Sequence, residues 1–473
     1  MKRKTKMICT VGPAVDTEQS LRRLIEVGMN AARFNFSHGT HESHLATLNR
    51  LKKVREEMRA PVATILDTKG PEIRVGKFKD GKVMLQAGQS FTLTTREVEG
   101  DATMVSQSYE GLAKDVQVGG RILIDDGLIE LVVRELTATD VICEVVNGGP
   151  VSNNKSVNVP DTKINLPSLT EKDRSDLKFA VENDMDFIAA SFVRKASDVR
   201  VIREELHRLG GDAIRIIAKI ENREGVDNID EIIEASDAIM VARGDLGVEI
   251  PLEEVPSVQK ILINKTSAVG KPVITATQML DSMTRNPRPT RAEVSDVANA
   301  VFDGTSCVML SGESANGQYP IETAATMGKI CEAAESYIHY WKRFRNRAMS
   351  EGLTINDAIT HTACQTAMDL NASAILTATK SGHTARMVAR YRPQCPIVAL
   401  CSDERVRRQL SISWSVTAHV SEDVTNTDKL FAMCAYVALR EDDVNVGDTV
   451  VITAGVPIGK SGSTNLIKAQ VID

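Results

Sequence analysis

Between Ile216 and Gly225 the chain reads Ile-Ile-Ala-Lys-Ile-Glu-Asn-Arg-Glu-Gly. Its short apolar run is typical of a strand that is buried on both faces. Side chains alternate across a strand, so Lys219 and Glu221 point the same way and Ile220 points the other way. A lysine and a carboxylate at the end of such a strand are costly to bury without partners or a purpose. From this stretch alone, a structural ion pair and a functional site are equally good interpretations.

Similar strands alternate with helices on both sides of this stretch. Three strand-like runs lie before residue 70 and five lie after residue 168, separated by segments with helical spacing. Eight β-α units that close on themselves predict an α/β fold of the (β/α)8 TIM-barrel type, in which the chemistry lies at the carboxyl ends of the strands. An open doubly wound sheet is the competing arrangement for the same alternation. We expect the barrel.

The pattern changes in two other parts of the chain. Short alternating runs with turn signals such as Lys79-Asp-Gly and Asn147-Gly-Gly predict an inserted all-β lid between the two halves of the barrel. Near the end, a further α/β region has helices that begin near Asn356, Thr384 and Glu404. Together these patterns predict a barrel of residues 1–70 and 168–345, a β-barrel-like lid of residues 71–167, and a C-terminal α/β domain of residues 346–473.

Charge and cysteine content exclude several classes of protein. The net charge is -6 and the pI is about 5.9, which argues against a nucleic-acid or membrane-surface binder. No apolar run reaches the roughly 18 residues that a membrane span needs. The 8 cysteines are scattered without a Cys-x-x-Cys pair, as in reduced core cysteines of a cytosolic protein. We therefore expect a cytoplasmic protein without nucleic-acid or membrane partners.

Polar groups follow six of the eight predicted strands at the end that faces the barrel mouth. Structural pairing rarely gathers so many ionisable groups at one opening, so an active site is favoured over the structural interpretation. In chain order these groups are Arg33, Asn35, Ser37 and His38, then Asp67, Thr68 and Lys69, then Lys219 and Glu221, then Arg243, Gly244 and Asp245, then Thr275 and Thr277, and finally Ser311 and Glu313.

The residue types indicate the chemistry. Glu221 and Asp245 offer hard oxygen ligands that suit Mg²⁺ or Mn²⁺ shared with an anionic substrate. Arg33 and Lys219 remain as positive groups for phosphoryl oxygens. Four further oxygen donors carry one charge among them and suit a monovalent cation: Asn35, Ser37, Asp67 and Thr68. This combination fits phosphoryl transfer, and the lack of a Gly-x-x-x-x-Gly-Lys-Ser/Thr loop excludes a P-loop enzyme.

Six motifs together resemble the pyruvate kinase family, and the similarity runs through most of the chain. Each is specific, and the combination is far more specific than any one. They are Asn35-Phe-Ser-His-Gly, Leu66-Asp-Thr-Lys-Gly-Pro-Glu-Ile-Arg, Ile216-Ile-Ala-Lys-Ile-Glu-Asn, Val241-Ala-Arg-Gly-Asp-Leu-Gly-Val-Glu-Ile-Pro, Thr275-Ala-Thr-Gln-Met-Leu and Met309-Leu-Ser-Gly-Glu-Ser-Ala.

The resemblance implies transfer of the phosphoryl group of phosphoenolpyruvate to ADP, giving ATP and pyruvate in the final step of glycolysis. It implies that Glu221 and Asp245 hold Mg²⁺ against the substrate. Lys219 would stabilise the phosphoryl group during its transfer, and Arg33 would bind the same phosphate. Thr277, with Gly244, would bind the substrate carboxylate and lie where the enolate is protonated. Because a threonine is a poor acid, we expect it to relay a proton through water.

The resemblance also implies a K⁺ site and a nucleotide site. A glutamate at the position of Glu72 accompanies K⁺ dependence in this family, so we expect K⁺ dependence here. Ser156 and Asp161 stand where the family usually has glycine, in the hinge of the lid. The K⁺ ligands would be Asn35, Ser37, Asp67 and Thr68. The nucleotide contacts would be Asn35, Ser37, His38, Arg74 and Lys155.

Two loops of the C-terminal domain are candidates for binding an anion, although an ordinary loop is the default for each. One joins a strand to a helix, a geometry that presents backbone N–H groups to a phosphate. The other is the Gly/Ser-rich run Gly459-Lys-Ser-Gly-Ser-Thr464. The resemblance implies a phosphorylated activator here, but the family's contacts for fructose 1,6-bisphosphate are not clearly matched. The first loop consists of Thr379, Lys380, Ser381, Gly382, His383 and Thr384.

Two rival functions remain beside this hypothesis. A different barrel enzyme acting on phosphoenolpyruvate, such as a lyase, would also use Glu221 and Asp245 but would leave Arg74, Lys155 and the lid unexplained. A catalytically silent effector-binding protein would not need the complete set of phosphoryl-handling residues. We therefore expect a pyruvate kinase that is a homotetramer by analogy with the family.

Overall fold

A computed structural model describes residues 3–346, 353–424, 426–458 and 462–473 of the chain. In the first barrel segment, Thr17 and Thr40 close capping boxes that begin both helices, and the strands are apolar and buried. A short 3₁₀ turn at Pro13–Val15 follows the first strand. The elements are β1 (Lys6–Thr10), α1 (Glu18–Glu26), β2 (Ala31–Asn35), α2 (His41–Glu57) and β3 (Ala63–Asp67).

The inserted segment is almost entirely β-structure, as the turn-rich pattern predicts. One sheet runs in the order β4-β12-β8-β9-β10-β6-β7, and β11 pairs with β5 in a second. Alternating residues of these strands bury a core of their own around Phe91, Leu131 and Val133. The elements are β4 (Ile73–Arg74), β5 (Lys82–Leu85), β6 (Ser90–Thr94), β7 (Met104–Ser106), α3 (Leu112–Asp115), β8 (Arg121–Ile124), β9 (Ile129–Leu136), β10 (Asp140–Asn147), β11 (Gly149–Ser152) and β12 (Ser156–Asn158).

The second barrel segment supplies five more parallel strands. The eight strands close in the order β1-β17-β16-β15-β14-β13-β3-β2, which confirms the barrel over the open sheet. The elements are α4 (Glu171–Glu182), β13 (Phe187–Ala190), α5 (Ala196–Arg208), β14 (Arg215–Ile220), α6 (Arg223–Asp227), α7 (Ile229–Ala235), β15 (Ala238–Ala242), α8 (Arg243–Glu249), α9 (Val255–Ala268), β16 (Val273–Ala276), α10 (Arg291–Asp303), β17 (Cys307–Leu310), α11 (Gly312–Ala315), α12 (Pro320–Ser336) and α13 (Tyr340–Arg345), with 3₁₀ turns at Leu252–Glu254 and Asp281–Thr284.

The C-terminal α/β domain is a sheet in the order β20-β19-β18-β21-β22, parallel except for β22. Sequence analysis identified its first helices, and β20, α17 and β22 were missed. The elements are α14 (Ile355–Asp369), β18 (Ala374–Ala378), α15 (His383–Ala389), β19 (Ile397–Cys401), α16 (Glu404–Leu410), β20 (Val416–Val420), α17 (Thr427–Arg440), β21 (Thr449–Gly455) and β22 (Thr464–Val471).

This domain closes the end of the barrel opposite the mouth. Ile412 packs into the inner barrel core, and Arg408 Nε donates to the buried Asp186 Oδ1 at 2.8 Å. Arg215, at the start of β14, donates from Nη2 to the Ser381 carbonyl at 3.0 Å. Separate hydrophobic cores in the lid, the barrel and the C-terminal sheet support the domain limits predicted above, which we keep as a proposal.

The cysteines are free thiols, and all but the partly buried Cys395 are buried, as expected. Burial raises the pKa of Cys9 and of Cys307 to about 12, so these thiols stay protonated and behave as small apolar side chains. Among the residues that the structure describes, no helix combines the length and the apolarity that crossing a membrane requires.

Candidate active site

Strand pairing brings the predicted site residues to one end of the barrel. In the parallel register, Thr10 lies beside Arg33, and Asn35 lies beside Asp67. Ala242 pairs with Ala276, so the residues that follow them, Gly244 and Thr277, meet across the mouth. The carboxyl ends of parallel barrel strands therefore gather side chains from distant parts of the sequence.

Lys219 is the centre of this cluster. Its Nζ donates to Asp67 Oδ1 at 3.0 Å and to Ser191 Oγ at 2.7 Å, and it lies 3.0 Å from Glu221 Oε1. The ion pair between Lys219 and Glu221 that the opening stretch allowed is therefore present. Asp67 also accepts from Arg33 Nε at 2.6 Å through its other oxygen. Two cationic side chains thus share one carboxylate.

The charges in this cluster shift one another's pKa. Burial alone would lower the pKa of Lys219, but Asp67 and Glu221 outweigh burial and raise it, so the ammonium stays charged. Burial would likewise raise the pKa of Asp67, but Arg33 and Lys219 hold it below its ordinary value. Burial raises the pKa of Glu221 to about 7 against the pull of Lys219, and Asp245 adds to the rise.

Glu221 and Asp245 fit a divalent cation. Phe192 N donates to Glu221 Oε2 at 2.5 Å and orients it, and Asp245 lies in the first turn of α8 on the wall of the cleft. Burial is the main cause of the raised pKa of Glu221, and the nearby Asp245 carboxylate adds to it, so a cation between the two carboxylates would be favoured. Within the described ranges, no three His, Cys, Asp or Glu side chains form a complete cage. Mg²⁺ held by Glu221 and Asp245 would take further oxygen ligands from water and the substrate.

The predicted monovalent site is an oxygen-rich corner at the ends of β2 and β3. Ser37 N donates to Asn35 Oδ1 at 3.1 Å, and the Thr68 carbonyl accepts from Ser191 Oγ at 2.6 Å. Asp67 contributes the only negative charge among these four residues, which suits a monovalent cation. Asn35 pairs with Asp67 in the strand register, and Ser37 and Thr68 follow these two residues along the chain.

Thr277 and Gly244 form a second corner of the mouth. Thr277 Oγ1 accepts from Gly244 N at 2.7 Å and donates to the Ala276 carbonyl at 2.6 Å. Thr277 has φ of 68° and Gln278 has φ of 51°, both in the left-handed region. A β-branched residue rarely adopts this conformation, and such outliers cluster at functional sites.

A cleft of about 530 Å³ separates the lid from the barrel. Arg74 and Lys155 line it from the lid, and Asp245 lines it from the barrel. Asn35, Ser37 and His38, the other predicted nucleotide contacts, lie at the end of β2 outside the wall of this cleft. The structure therefore divides the predicted nucleotide set between two places.

The two basic lid residues are already paired. Arg74 forms a bidentate contact to Glu72, with Nε 2.6 Å from Oε1, and Lys155 Nζ lies 2.7 Å from Asp125 Oδ1. Ser156 Oγ donates to Asp126 Oδ1 at 3.0 Å. Asp161 has φ of 60°, a conformation in which glycine is favoured, and this agrees with the glycine expected at that hinge position.

Sequence analysis missed Thr10 and Ser191. Thr10 Oγ1 accepts from Arg33 Nη1 at 3.0 Å, and Ser191 contacts Lys219, Asp67 and Thr68. The alternation of side chains along each strand could have identified both residues, because Ile8 on β1 and Ala189 on β13 point into the barrel. The residue two positions further along each strand must point the same way.

Two residues assigned to the mouth have structural contacts instead, one of them because of the same alternation. Thr275 lies between the inward-facing Ile274 and Ala276, so it points outward, and its Oγ1 donates to Thr305 Oγ1 at 3.0 Å. Glu313 is buried and accepts from Ser311 N at 2.7 Å and Leu280 N at 3.2 Å. Both residues therefore stabilise the local structure of the barrel.

The first candidate anion loop borders a pocket of about 310 Å³ in the C-terminal domain. Thr379, Lys380, Ser381 and Thr384 line this pocket, and so do the acidic residues Glu422 and Asp423. Gly382 and His383 do not line it, and His383 Nε2 lies 2.7 Å from Asn356 Nδ2. In the second candidate loop, Gly459, Lys460 and Ser461 lie outside the described residues. Thr464 Oγ1 lies 2.8 Å from Thr384 Oγ1, so the loops meet.

Comparisons with known proteins agree over the whole chain. The family profile of the pyruvate kinase barrel domain matches residues 2–324, and that of the pyruvate kinase alpha/beta domain matches residues 357–470. Pyruvate kinase from Clostridium acetobutylicum is 54% identical over 99% of this chain and 100% of its own length. Pyruvate kinase from Geobacillus stearothermophilus is 52% identical over 100% of this chain and 81% of its own length.

A solved structure shows the same fold. The crystal structure of a pyruvate kinase from Cryptosporidium parvum matches with a TM-score of 0.94 at 40% identity, over 100% of this chain and 96% of that one. The barrel and the matching relatives define this protein as a phosphotransferase of the (β/α)8 class. The chain belongs to the pyruvate kinase family, and its substrates are those of that activity: phosphoenolpyruvate and ADP, with pyruvate as a product.

Proposed function

We propose that this pyruvate kinase works with Mg²⁺, or Mn²⁺, on Glu221 and Asp245, and with K⁺ on Asn35, Ser37, Asp67 and Thr68. The observation that carries the proposal is the position of Lys219, which contacts a member of each proposed cation site, Glu221 and Asp67. When bound, the divalent cation would supply charge neutralisation for the phosphoryl oxygens. Lys219 and Arg33 then add fixed positive charge beside it.

In the proposed phosphoryl step, the bond between the phosphorus and the enol oxygen of phosphoenolpyruvate breaks, and a bond to a β-phosphate oxygen of ADP forms. Arg33 holds the phosphoryl group in place. Hydrogen bonds to Asp67 and Thr10 fix the orientation of the Arg33 guanidinium. Lys219 stabilises the charge that develops on the group as it passes between the two oxygens. Both side chains are almost completely buried, which strengthens these interactions because water is excluded.

The step leaves an enolate of pyruvate, whose methylene carbon must take a proton. Thr277 lies beside Gly244 N, so both can bind the substrate carboxylate near that carbon. The Thr277 hydroxyl donates to the Ala276 carbonyl, and rotation about its C–O bond would redirect this proton to a water or to the enolate. We propose that Thr277 relays the proton.

The nucleotide would lie in the cleft between lid and barrel. Arg74 and Lys155 both line that cleft. When ADP binds, its phosphates would replace Glu72 and Asp125 as the partners of these two basic side chains. Asn35, Ser37 and His38 would contact the nucleotide from the end of β2. A lyase acting on phosphoenolpyruvate would have no use for these basic lid residues.

The metal assignments are tested by steady-state assays with phosphoenolpyruvate and ADP, in which pyruvate is measured directly. We expect activity to require Mg²⁺ or Mn²⁺, and to fall strongly when tetramethylammonium replaces K⁺ at equal ionic strength. Asp67→Asn removes the only charge of the monovalent site and should lose the response to K⁺. Activity that is unchanged in tetramethylammonium would contradict the K⁺ assignment.

We also propose that a phosphorylated metabolite activates the enzyme by binding at Thr379–Thr384, that the enzyme is a homotetramer, and that it works in the cytoplasm. Support for the activator comes from the pocket that both candidate loops border. Titration of candidate sugar phosphates and nucleotides at low phosphoenolpyruvate concentration tests the activator, with Lys380→Ala as the variant that should not respond. Sedimentation analysis tests the tetramer.

A further inference from the structure

Arg243 contacts neither the cleft nor the cation ligands, although it directly precedes Gly244 and Asp245 in the sequence. Its side chain is only 12% exposed. From Nε it donates to the Ala276 carbonyl at 3.2 Å, and from Nη2 it donates to the Thr277 carbonyl at 2.7 Å. Two consecutive backbone carbonyls are therefore held by one planar fork, which a lysine cannot reproduce.

The other side of the guanidinium is anchored in the helical layer. Nη1 donates to Asp296 Oδ1 on α10 at 2.7 Å and to Gln259 Oε1 on α9 at 3.3 Å. Asp296 and Gln259 thereby fix the orientation of the fork from behind. The contacts join two helices of the outer layer to the loop that follows β16.

The segment whose carbonyls Arg243 holds has a strained backbone conformation. Thr277 and Gln278 are consecutive left-handed residues, and neither is glycine or asparagine. A conformation of this kind persists only where surrounding contacts over-determine it. Arg243 supplies contacts to the backbone of Thr277, whereas Gly244 N contacts its side chain.

We infer that Arg243 is a positioning residue for proton transfer, because it holds the backbone of Thr277 in the strained conformation that directs its hydroxyl to the substrate. The inference rests on the proposed role of Thr277. It predicts that loss of the fork affects the proton step more than the binding of phosphoenolpyruvate, because the phosphate and metal contacts come from residues outside the loop that follows β16. Small displacements of a reacting group can cost about 10²-fold in rate.

The test measures the proton step by itself, in the full-length enzyme. Because the proposed proton step is reversible, we expect the enzyme to exchange the methyl protons of pyruvate with solvent, and NMR in D₂O measures this exchange with Mg²⁺, K⁺ and ATP present. We expect Arg243→Lys to lower this exchange and turnover by about 10-fold or more, with the KM for phosphoenolpyruvate changed less than about threefold. Arg203→Lys is the matched control, since Arg203 also joins a carboxylate, Asp237, to a backbone carbonyl, that of Ile214. It lies away from Thr277 and should behave as the wild type.

A double-mutant cycle with Thr277→Ala separates the inference from the role on which it rests. If the inference holds, Arg243→Lys has no further effect on methyl exchange once Thr277 is alanine. Unchanged exchange in Thr277→Ala itself would refute the role of Thr277, and the inference with it. A loss in Thr277→Ala without a loss in Arg243→Lys, or a fully additive double variant, would refute the inference alone. If Arg243→Lys does not fold, Asp296→Asn keeps the fork but removes its anchor, and exchange unchanged in that variant would overturn the inference.

Discussion

At the scale of single residues, the donors of Lys219 are fully used. Its ammonium has three N–H groups, and Asp67, Ser191 and Glu221 lie within 3.0 Å of Nζ. A phosphoryl oxygen that binds Lys219 must therefore replace one of these partners. The partners hold the ammonium charged and aimed at the mouth, so the group is preorganised before substrate arrives.

Replacement of Lys219 tests its part in catalysis. We expect Lys219→Met to lose on the order of 10²–10³ or more in turnover, as other groups that stabilise developing charge do. Lys178→Met, on the exposed face of α4, is the control and should keep wild-type turnover. Steady-state assays measure both variants, and near-wild-type turnover in Lys219→Met would remove this residue from the mechanism.

We expect Glu249 to make the stability of the protein depend on pH. Burial raises its pKa from 4.5 to about 7, Asp245 and Asp161 add to the rise, and a 2.7 Å bond from Asn158 opposes it. Because the folded state holds this proton more tightly, the stabilising contribution is complete below pH 4.5 and is lost as the pH rises through 7.

Glu249→Gln removes this titration but keeps an oxygen for Asn158. We expect the variant to gain roughly 1–2 kcal/mol relative to the wild type between pH 5 and pH 8. Urea unfolding of the metal-free proteins at both pH values measures the difference. Glu253→Gln, an exposed neighbour, should show no such gain. Equal differences at the two pH values would contradict the assignment to Glu249.

At the scale of elements, the loop after β13 contacts residues 163–167, where the chain leads from the lid back into the barrel. Arg194 follows β13, and it donates from Nη1 to the Ile164 carbonyl at 2.6 Å and from Nη2 to the Leu166 carbonyl at 2.7 Å. Ser191, three residues earlier, contacts Lys219. One short loop thus contacts both residues 163–167 and the cluster around Lys219.

Arg194→Gln should selectively destabilise residues 163–167, where the chain leaves the lid. Loss of hydrogen bonds from a charged donor is worth about 1.5–3 kcal/mol, so amide exchange across residues 163–167 should speed up by about tenfold or more. Hydrogen–deuterium exchange with mass spectrometry measures the change, and Arg174→Gln on the outer face of α4 serves as the control. Exchange that rises equally throughout the barrel would indicate global destabilisation instead.

At the scale of the whole molecule, the C-terminal domain completes the barrel. Asp186, at the start of β13, is buried without any exposure, and it accepts from Thr64 N, Thr64 Oγ1 and Arg408 Nε. Burial raises its pKa even though Arg408 and Arg55 oppose the rise. The interface therefore depends on a buried carboxylate whose partner comes from the other domain.

Arg408→Ala should remove the closest cation from Asp186, whose other charged partner, Arg55, lies 3.9 Å away, and cost about 3–5 kcal/mol in the free energy of unfolding. Urea titration measures this loss. The double variant Arg408→Ala with Asp186→Asn also removes the buried carboxylate charge and should recover part of the loss, whereas Arg405→Ala, on the same helix, should cost much less. A loss below about 1 kcal/mol in Arg408→Ala would show that the pair does not support the interface.

Local patterns in the sequence determined the barrel, the lid and most of the ligand candidates, because strand alternation and turn residues are local properties. Lys219, Glu221, Asp67 and Asn35 were predicted in this way, and the structure brings them together. Other features depended on contacts between residues far apart in the chain. The contact of Ser191 with Lys219, and the closure of the barrel by Ile412, follow from how strands and domains pack. Arg243 is the clearest case: its neighbours in the sequence indicate a role at the mouth, but its side chain turns to Asp296 and the Thr277 carbonyl, because a buried guanidinium must find acceptors and the fold alone decides where they lie.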